Sequence, residues 1–215
     1  MRATGDLSKL HDAITGRLAR LRKLYAASMP PLPGSQPALA IAAIELDNLV
    51  IASIRQFMIS SLTGARTADG KKVTVTPRMK DEGEVAAFVL SVLSSQSFQN
   101  LGNPTRVARQ HEFKIREPRF IERVMSSCSA SNLISVQAAF SLPTTLFSDL
   151  PTIRNFYAHR NDDTWRKVKI RAQGLGVYRV RTADELLTSG LPGRPVTVFE
   201  DWLDDAELFF YELTR

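Results

Sequence analysis

The sequence predicts an all-α fold. Apolar residues recur at three- and four-residue intervals in successive segments, breaks rich in proline and glycine separate those segments, and alternating stretches of the kind strands require are short and few.

The first segment, Leu7 to Ser28, spaces Leu10, Ile14, Leu18, Leu21 and Leu24 like one face of a helix, with Arg17, Arg20, Arg22 and Lys23 over the remainder. This predicts an N-terminal amphipathic helix with a solvated basic face. Three prolines and a glycine in "MPPLPG" end it. Residues 37–63 predict a long helix that is apolar on several faces and therefore surrounded by other elements. It approaches the length of a bilayer span, but Glu45, Asp47 and Arg55 lie inside it and charge is expensive in hydrocarbon. A core helix with a polar seam is the expected reading, with no membrane involved.

"GARTADGKKVTVTP" then breaks the helical period, and its alternating "KVTVT" reads as one strand or as an extended loop. A helix resumes in "DEGEVAAFVLSVLSS", where Asp81, Glu82 and Glu84 near its start complement the helix dipole. Residues 96–118 read as polar and loop-like, with Arg106, Arg109, Lys114 and Arg116 interleaved with Phe113 and followed by Phe120. Such a stretch either holds a phosphate backbone and stacks bases or is an ordinary solvated connection.

Helices are expected at 119–128 and 131–140. In the next, Ser148 or Asp149 is the expected N-cap, Pro151 falls near the first turn, and Leu150, Ile153, Phe156 and Tyr157 form the inward face. Residues 164–182 admit two readings: "TWRKVKIRAQ" as a helix capped by Asp162, Asp163 or Thr164, or alternation with "GVYRVR" as a short β-hairpin insertion. The local capping signal favours the helix. The tail sets Phe199, Trp202, Leu203, Ala206, Phe209, Phe210 and Leu213 on one helical face, a C-terminal helical extension. A single domain over 1–215 is expected, with its core at about 37–165 and the extension at 166–215.

The chain has 44% hydrophobic and 23% charged residues, a globular composition. Its single cysteine, Cys128, excludes an internal disulfide framework, and three separated histidines leave no cluster of metal-ligand spacing. Neither a metal nor a cofactor is expected. The first residues lack an apolar core followed by a small-residue cleavage site, so a cytoplasmic setting is expected. A net charge of +6 and a pI near 9.7 favour phosphate-bearing partners.

The chemistry concentrates in "RNFYAH". Asn155 and His159 are four apart and share a helical face, and the long Arg154 guanidinium swings toward the same side. Cleavage of RNA through its own 2′-hydroxyl needs no external nucleophile. An imidazole to move the proton and a fixed cation to meet the developing charge suffice. This arrangement resembles the R-x4-6-H signature of the HEPN family of helical domains, many of them ribonucleases. The matching residues are Arg154, the polar Asn155 after it, and His159, and the earlier helix carries acidic residues in "IELDN".

The resemblance implies an up-and-down helical bundle that forms a homodimer, so that two motif copies face a shared RNA-binding cleft. It also implies metal-independent endoribonuclease activity of toxin or defence type that leaves a 2′,3′-cyclic phosphate, and an antitoxin or operon-encoded partner. On that basis Arg154, Asn155 and His159 are the candidate catalytic residues. Arg106, Arg109, Lys114, Arg116 and Arg160 are candidate RNA contacts, and Glu45 and Asp47 candidate positioning groups. The sequence departs from members that carry a tyrosine two places beyond the histidine, since Asn161 stands there. Two alternatives remain open: a non-catalytic module that binds RNA or protein, and a structural adaptor in which Arg154 pairs internally with Asp47 or Glu45.

Overall fold

The computed structural model describes residues 5–29, 37–113, 115 and 117–215. Among them are ten α-helices and one 3₁₀ turn, and the only bridges of sheet type are isolated ones. The fold class is all-α. The helices are α1 (Leu7–Ala27), α2 (Pro37–Leu62), α3 (Glu82–Leu93), α4 (Ser95–Asn100), α5 (Pro118–Ser127), α6 (Leu133–Phe140), α7 (Leu146–His159), α8 (Asp162–Gly174), α9 (Ala183–Thr188) and α10 (Val198–Thr214). Most of the proline-rich break after α1 lies outside the described residues, as do Lys114 and Arg116.

The chain divides into two compact units, each discontinuous in sequence. One takes residues 1–14, 51–142 and 209–215, the other 15–50 and 143–208. Residues 166–208, expected as an extension, thus belong to the unit that holds α7.

In the first unit, the loop after α2 doubles back through a single antiparallel bridge between Arg66 and Lys72, and "KVTVT" is otherwise an extended loop. Its polar groups are satisfied one by one: the Val73 amide donates to Ala65 O at 2.8 Å, the Thr76 amide to Cys128 O at 2.7 Å, and Thr74 O accepts from the Ser131 amide at 2.9 Å. Scattered partners leave no ladder for a second strand. At the start of the stretch read as loop, residues 96–100 instead belong to α4. The reason is apolar: Phe98 packs on the cluster of Ala86, Ala87, Leu90 and Val107. Asp81 caps α3, its Oδ1 accepting from the amides of Gly83 at 2.9 Å and Glu84 at 3.2 Å. Arg55 of α2 donates to Glu112 Oε2 at 2.7 Å and also pairs with Glu82. Those two carboxylates push its guanidinium above the ordinary arginine value.

The second unit is built on α10. Val198, Phe199, Trp202, Leu203 and Ala206 are buried, as the 3.6-residue period requires, together with Leu146, Leu150 and Ile153 of α7. The Tyr25 ring meets Phe199 at 4.9 Å and its hydroxyl donates to Thr197 Oγ1 at 2.8 Å. Arg22, on the basic face of α1, pairs with both Asp204 and Glu207 at 2.7 Å, so that face is partly neutralised.

Residues 162–174 form α8, in agreement with the capping argument, but Asn161 is the cap. Its Oδ1 accepts from the Thr164 amide at 2.9 Å while Thr164 Oγ1 accepts from the Asn161 amide at 3.2 Å. The helix ends on a left-handed Gly176 (φ +75°), with the Val177 amide on Ala172 O at 2.8 Å and the Gly176 amide on Gln173 O at 3.0 Å. That pair of bonds closes the last turn, and the positive φ explains the glycine.

By length and composition, α2 is long and apolar enough to cross a membrane. Its buried surface nevertheless carries Asp47, Ser53, Gln56, Ser60 and Ser61, the polar seam foreseen in the sequence.

Candidate functional site

The motif occupies the second half of α7. That helix starts about one turn earlier than its capping signals suggested, because Leu146, Leu150 and Ile153 form one buried stripe that needs Leu146 in the helix. Thr145 stands at the N-cap, yet its hydroxyl accepts from the Trp202 indole at 3.1 Å and leaves the helix amides alone. Pro151 therefore lies in the helix interior and not in the first turn, where its missing N–H removes a rung of the ladder.

His159 is the last residue of α7 and is exposed to solvent. Asn155, one turn before it, is half-buried. The Arg154 side chain is 35% exposed, and its Nε lies 3.8 Å from Oδ2 of Asp47, whose side chain is 3% exposed. This ion pair is longer than a hydrogen bond. Arg154 Nε is itself buried, while the side chain as a whole stays about a third exposed. Of the two acidic residues named on α2, Asp47 is the one brought to Arg154. Glu45 is exposed, as expected for a residue two positions, and so about 200°, around the helix from a buried one.

Arg160 follows His159 at once, in the left-handed region (φ 40°, ψ 53°). Its amide donates to Phe156 O at 2.7 Å. This turn lets α8 begin at residue 162 and leaves the Arg160 side chain exposed beside the imidazole-bearing helix end.

The stretch 106–119 belongs to the first unit, whereas α7 belongs to the second. Arg106 pairs with Asp81 at 2.6 Å and Arg119 with Glu117 at 2.6 Å. Phe113 and Phe120 meet edge to face at 5.5 Å, and Phe113 packs on the cluster around Leu90. Both rings are engaged in packing. Arg109 is exposed in the 3₁₀ turn, and Lys114 and Arg116 lie outside the described residues.

Sequence reading missed a second concentration of charge. Residues 154–181 carry eight arginines and lysines against two aspartates, an excess equal to the net +6 of the whole chain. Asp163 engages Arg166 at 2.8 Å and Lys167 at 2.6 Å, and Arg171 lies 3.5 Å from the buried Asp149. Burial pushes the Asp149 carboxyl above its ordinary value, with Ser148 and Arg171 opposing the shift. Among the described residues no carboxylate partner stands within ion-pair distance of Arg160 or Arg181. The signal was available as a running charge count. Among the described residues, no three His, Cys, Asp or Glu side chains gather as metal ligands would.

Together the helix end offers an exposed imidazole, an arginine anchored on the same helix by a buried carboxylate, and surrounding positive charge. No family model, curated protein or solved structure matches this chain.

Proposed function

We propose that this chain is a metal-independent endoribonuclease of toxin or defence type, acting in the cytoplasm as a homodimer whose two α7 ends share one RNA groove. The observation that carries the reading is the solvent-exposed His159 at the end of α7, within the segment that holds the chain's excess positive charge. The segment draws in the phosphate backbone. His159 takes the proton of a ribose 2′-hydroxyl and returns one to the leaving 5′-oxygen, and Arg154 meets the charge that develops on phosphorus. The phosphorus–oxygen bond to the 5′-oxygen breaks as the bond to the 2′-oxygen forms, which gives a 2′,3′-cyclic phosphate and a 5′-hydroxyl. Asn155 orients the phosphate or the imidazole.

A second reading, a non-catalytic RNA-binding module, draws on one specific contact. Arg154 reaches toward the buried Asp47 and so has a structural use of its own. Affinity and cleavage, measured side by side on RNA for the wild type and for His159→Ala, separate the two. The enzyme reading expects cleavage to fall by about 10²-fold or more with affinity retained. Equal behaviour of the two proteins in both assays supports the module.

A further inference from the structure

A cleft of about 390 Å³ opens in the second unit, between the end of α7, the first turn of α8 and the start of α9. Its volume is within the range of small-molecule sites, about 300–1,000 Å³. Phe156, Tyr157, Trp165, Arg160 and Arg181 line it, together with the carboxylates of Asp162 and Asp184. The Phe156 and Trp165 rings lie 5.5 Å apart at 47°, and all three aromatic residues are only half-buried, so they keep surface toward the cleft. Tyr157 is held in place, its hydroxyl donating to Asp184 Oδ1 at 2.5 Å. Burial first, and then that carboxylate, keep the phenol protonated well beyond its ordinary range. Lys169 sits 6.0 Å over the Trp165 ring.

We propose that this cleft is a nucleotide subsite, in which a base lies against Trp165 and Phe156 while the attached phosphate is held by Arg160 and Arg181. Each part of the ligand answers a feature of the cleft. An aromatic wall takes the face of any base. Among the described residues Arg160 and Arg181 form no ion pair with the Asp162 and Asp184 that also line the cleft, and Asp184 already accepts from Tyr157, which leaves both guanidiniums to hold an anion. A purely apolar ligand would leave both charges unanswered. Arg160 joins the subsite to the neighbouring His159, so a nucleotide seated here belongs to a strand that continues past the helix end. The assignment rests on reading the chain as an RNA-handling protein and names which part of the strand it grips.

The test is titration of the purified full chain with adenosine and uridine 5′-monophosphates, with ribose 5-phosphate as the base-free control, followed by calorimetry and tryptophan fluorescence. Trp202 is fully buried, so a fluorescence response reports Trp165. Saturable binding is expected for the nucleotides, together with a fluorescence change that Trp165→Phe removes. Arg160→Gln and Arg181→Gln are each expected to weaken binding about tenfold, and Trp165→Leu about tenfold by calorimetry. Both arginines are exposed, which keeps these variants folded, and circular dichroism checks it. The absence of saturable binding, ribose 5-phosphate binding as tightly as the nucleotides, or indifference to Arg181→Gln each overturns the subsite. RNA cleavage by wild type without nucleotide binding removes the subsite and leaves the enzyme. Nucleotide binding without cleavage removes the enzyme and leaves the subsite.

Discussion

Replacing Arg160 with glycine is expected to raise stability and lower RNA affinity together. Arg160 holds φ 40°, ψ 53°, a conformation that costs an L-residue about 1–2 kcal/mol and glycine almost nothing. Against that gain, glycine loses about 0.5–1 kcal/mol more chain entropy on folding. The exposed side chain has no ion pair to lose among the described residues, so the net expectation is a gain of about 0.5–1 kcal/mol. For a chain of this size that is a rise in Tm of about 1–4 °C. If the guanidinium also contacts a phosphate, its removal weakens RNA binding about tenfold and makes the salt dependence shallower by about one unit of slope. Arg160→Ala is the control, since it loses the contact yet keeps the left-handed strain. The assays are thermal denaturation and RNA affinity across a salt series. A lower Tm for Arg160→Gly than for Arg160→Ala refutes the strain reasoning, and an unchanged salt slope in both variants removes Arg160 from the interface.

Other consequences concern the frame around the site. Arg154→Ala removes the guanidinium from its pair with the buried Asp47 and is expected to destabilise by about 1–2 kcal/mol, less than for a fully enclosed pair because the guanidinium is a third exposed. Adding Asp47→Asn is expected to restore stability in urea titrations but not cleavage, whereas recovery of both would make Arg154 purely structural. Gly176→Ala is expected to lower Tm by several degrees, since a Cβ there would lie 2.8 Å from Pro192 Cγ in a residue of positive φ. Adding Pro192→Ala recovers the steric share alone, and an unchanged Tm in the single variant contradicts the turn assignment.

Burial raises the carboxyls of Asp149 and Asp205 above their ordinary value of 3.8, with the neighbouring Asp201 adding to the shift at Asp205. At these two positions the folded chain therefore binds more protons than the unfolded chain above about pH 4. These two groups consequently favour folding less as pH climbs through their raised values. An Asp149→Asn/Asp205→Asn variant lacks that loss, so its urea midpoint relative to wild type is expected to rise from pH 4 to pH 7. A relative midpoint that falls over this interval contradicts the burial argument.

The helices were legible where one face packs along a regular period. Leu7 to Tyr25 and Phe199 to Leu213 both repeat their buried residues every three or four positions, a pattern visible in the sequence alone. The start of α7 was misread because Thr145 and Ser148 are equivalent as local caps. What distinguishes them is the Trp202 indole, 57 residues away, which occupies the Thr145 hydroxyl. Interleaved arginines and phenylalanines at 106–120 have the same composition whether they bind RNA or pack, and only the folded unit shows that Phe113 lies on the cluster around Leu90 and that Arg106 pairs with Asp81. Glu45 and Asp47 were both foreseen as partners for Arg154, and burial selects Asp47. The cleft left no local trace, because Phe156, Trp165 and Arg181 come from separate segments and meet only in the folded unit.

End-group analysis of RNA products formed in EDTA tests the central claim most directly. Wild-type protein is expected to yield 5′-hydroxyl and 2′,3′-cyclic phosphate ends at an unchanged rate in the chelator, and His159→Ala to yield none above background. Cleavage that stops in EDTA, or equal cleavage by folded His159→Ala, would contradict it.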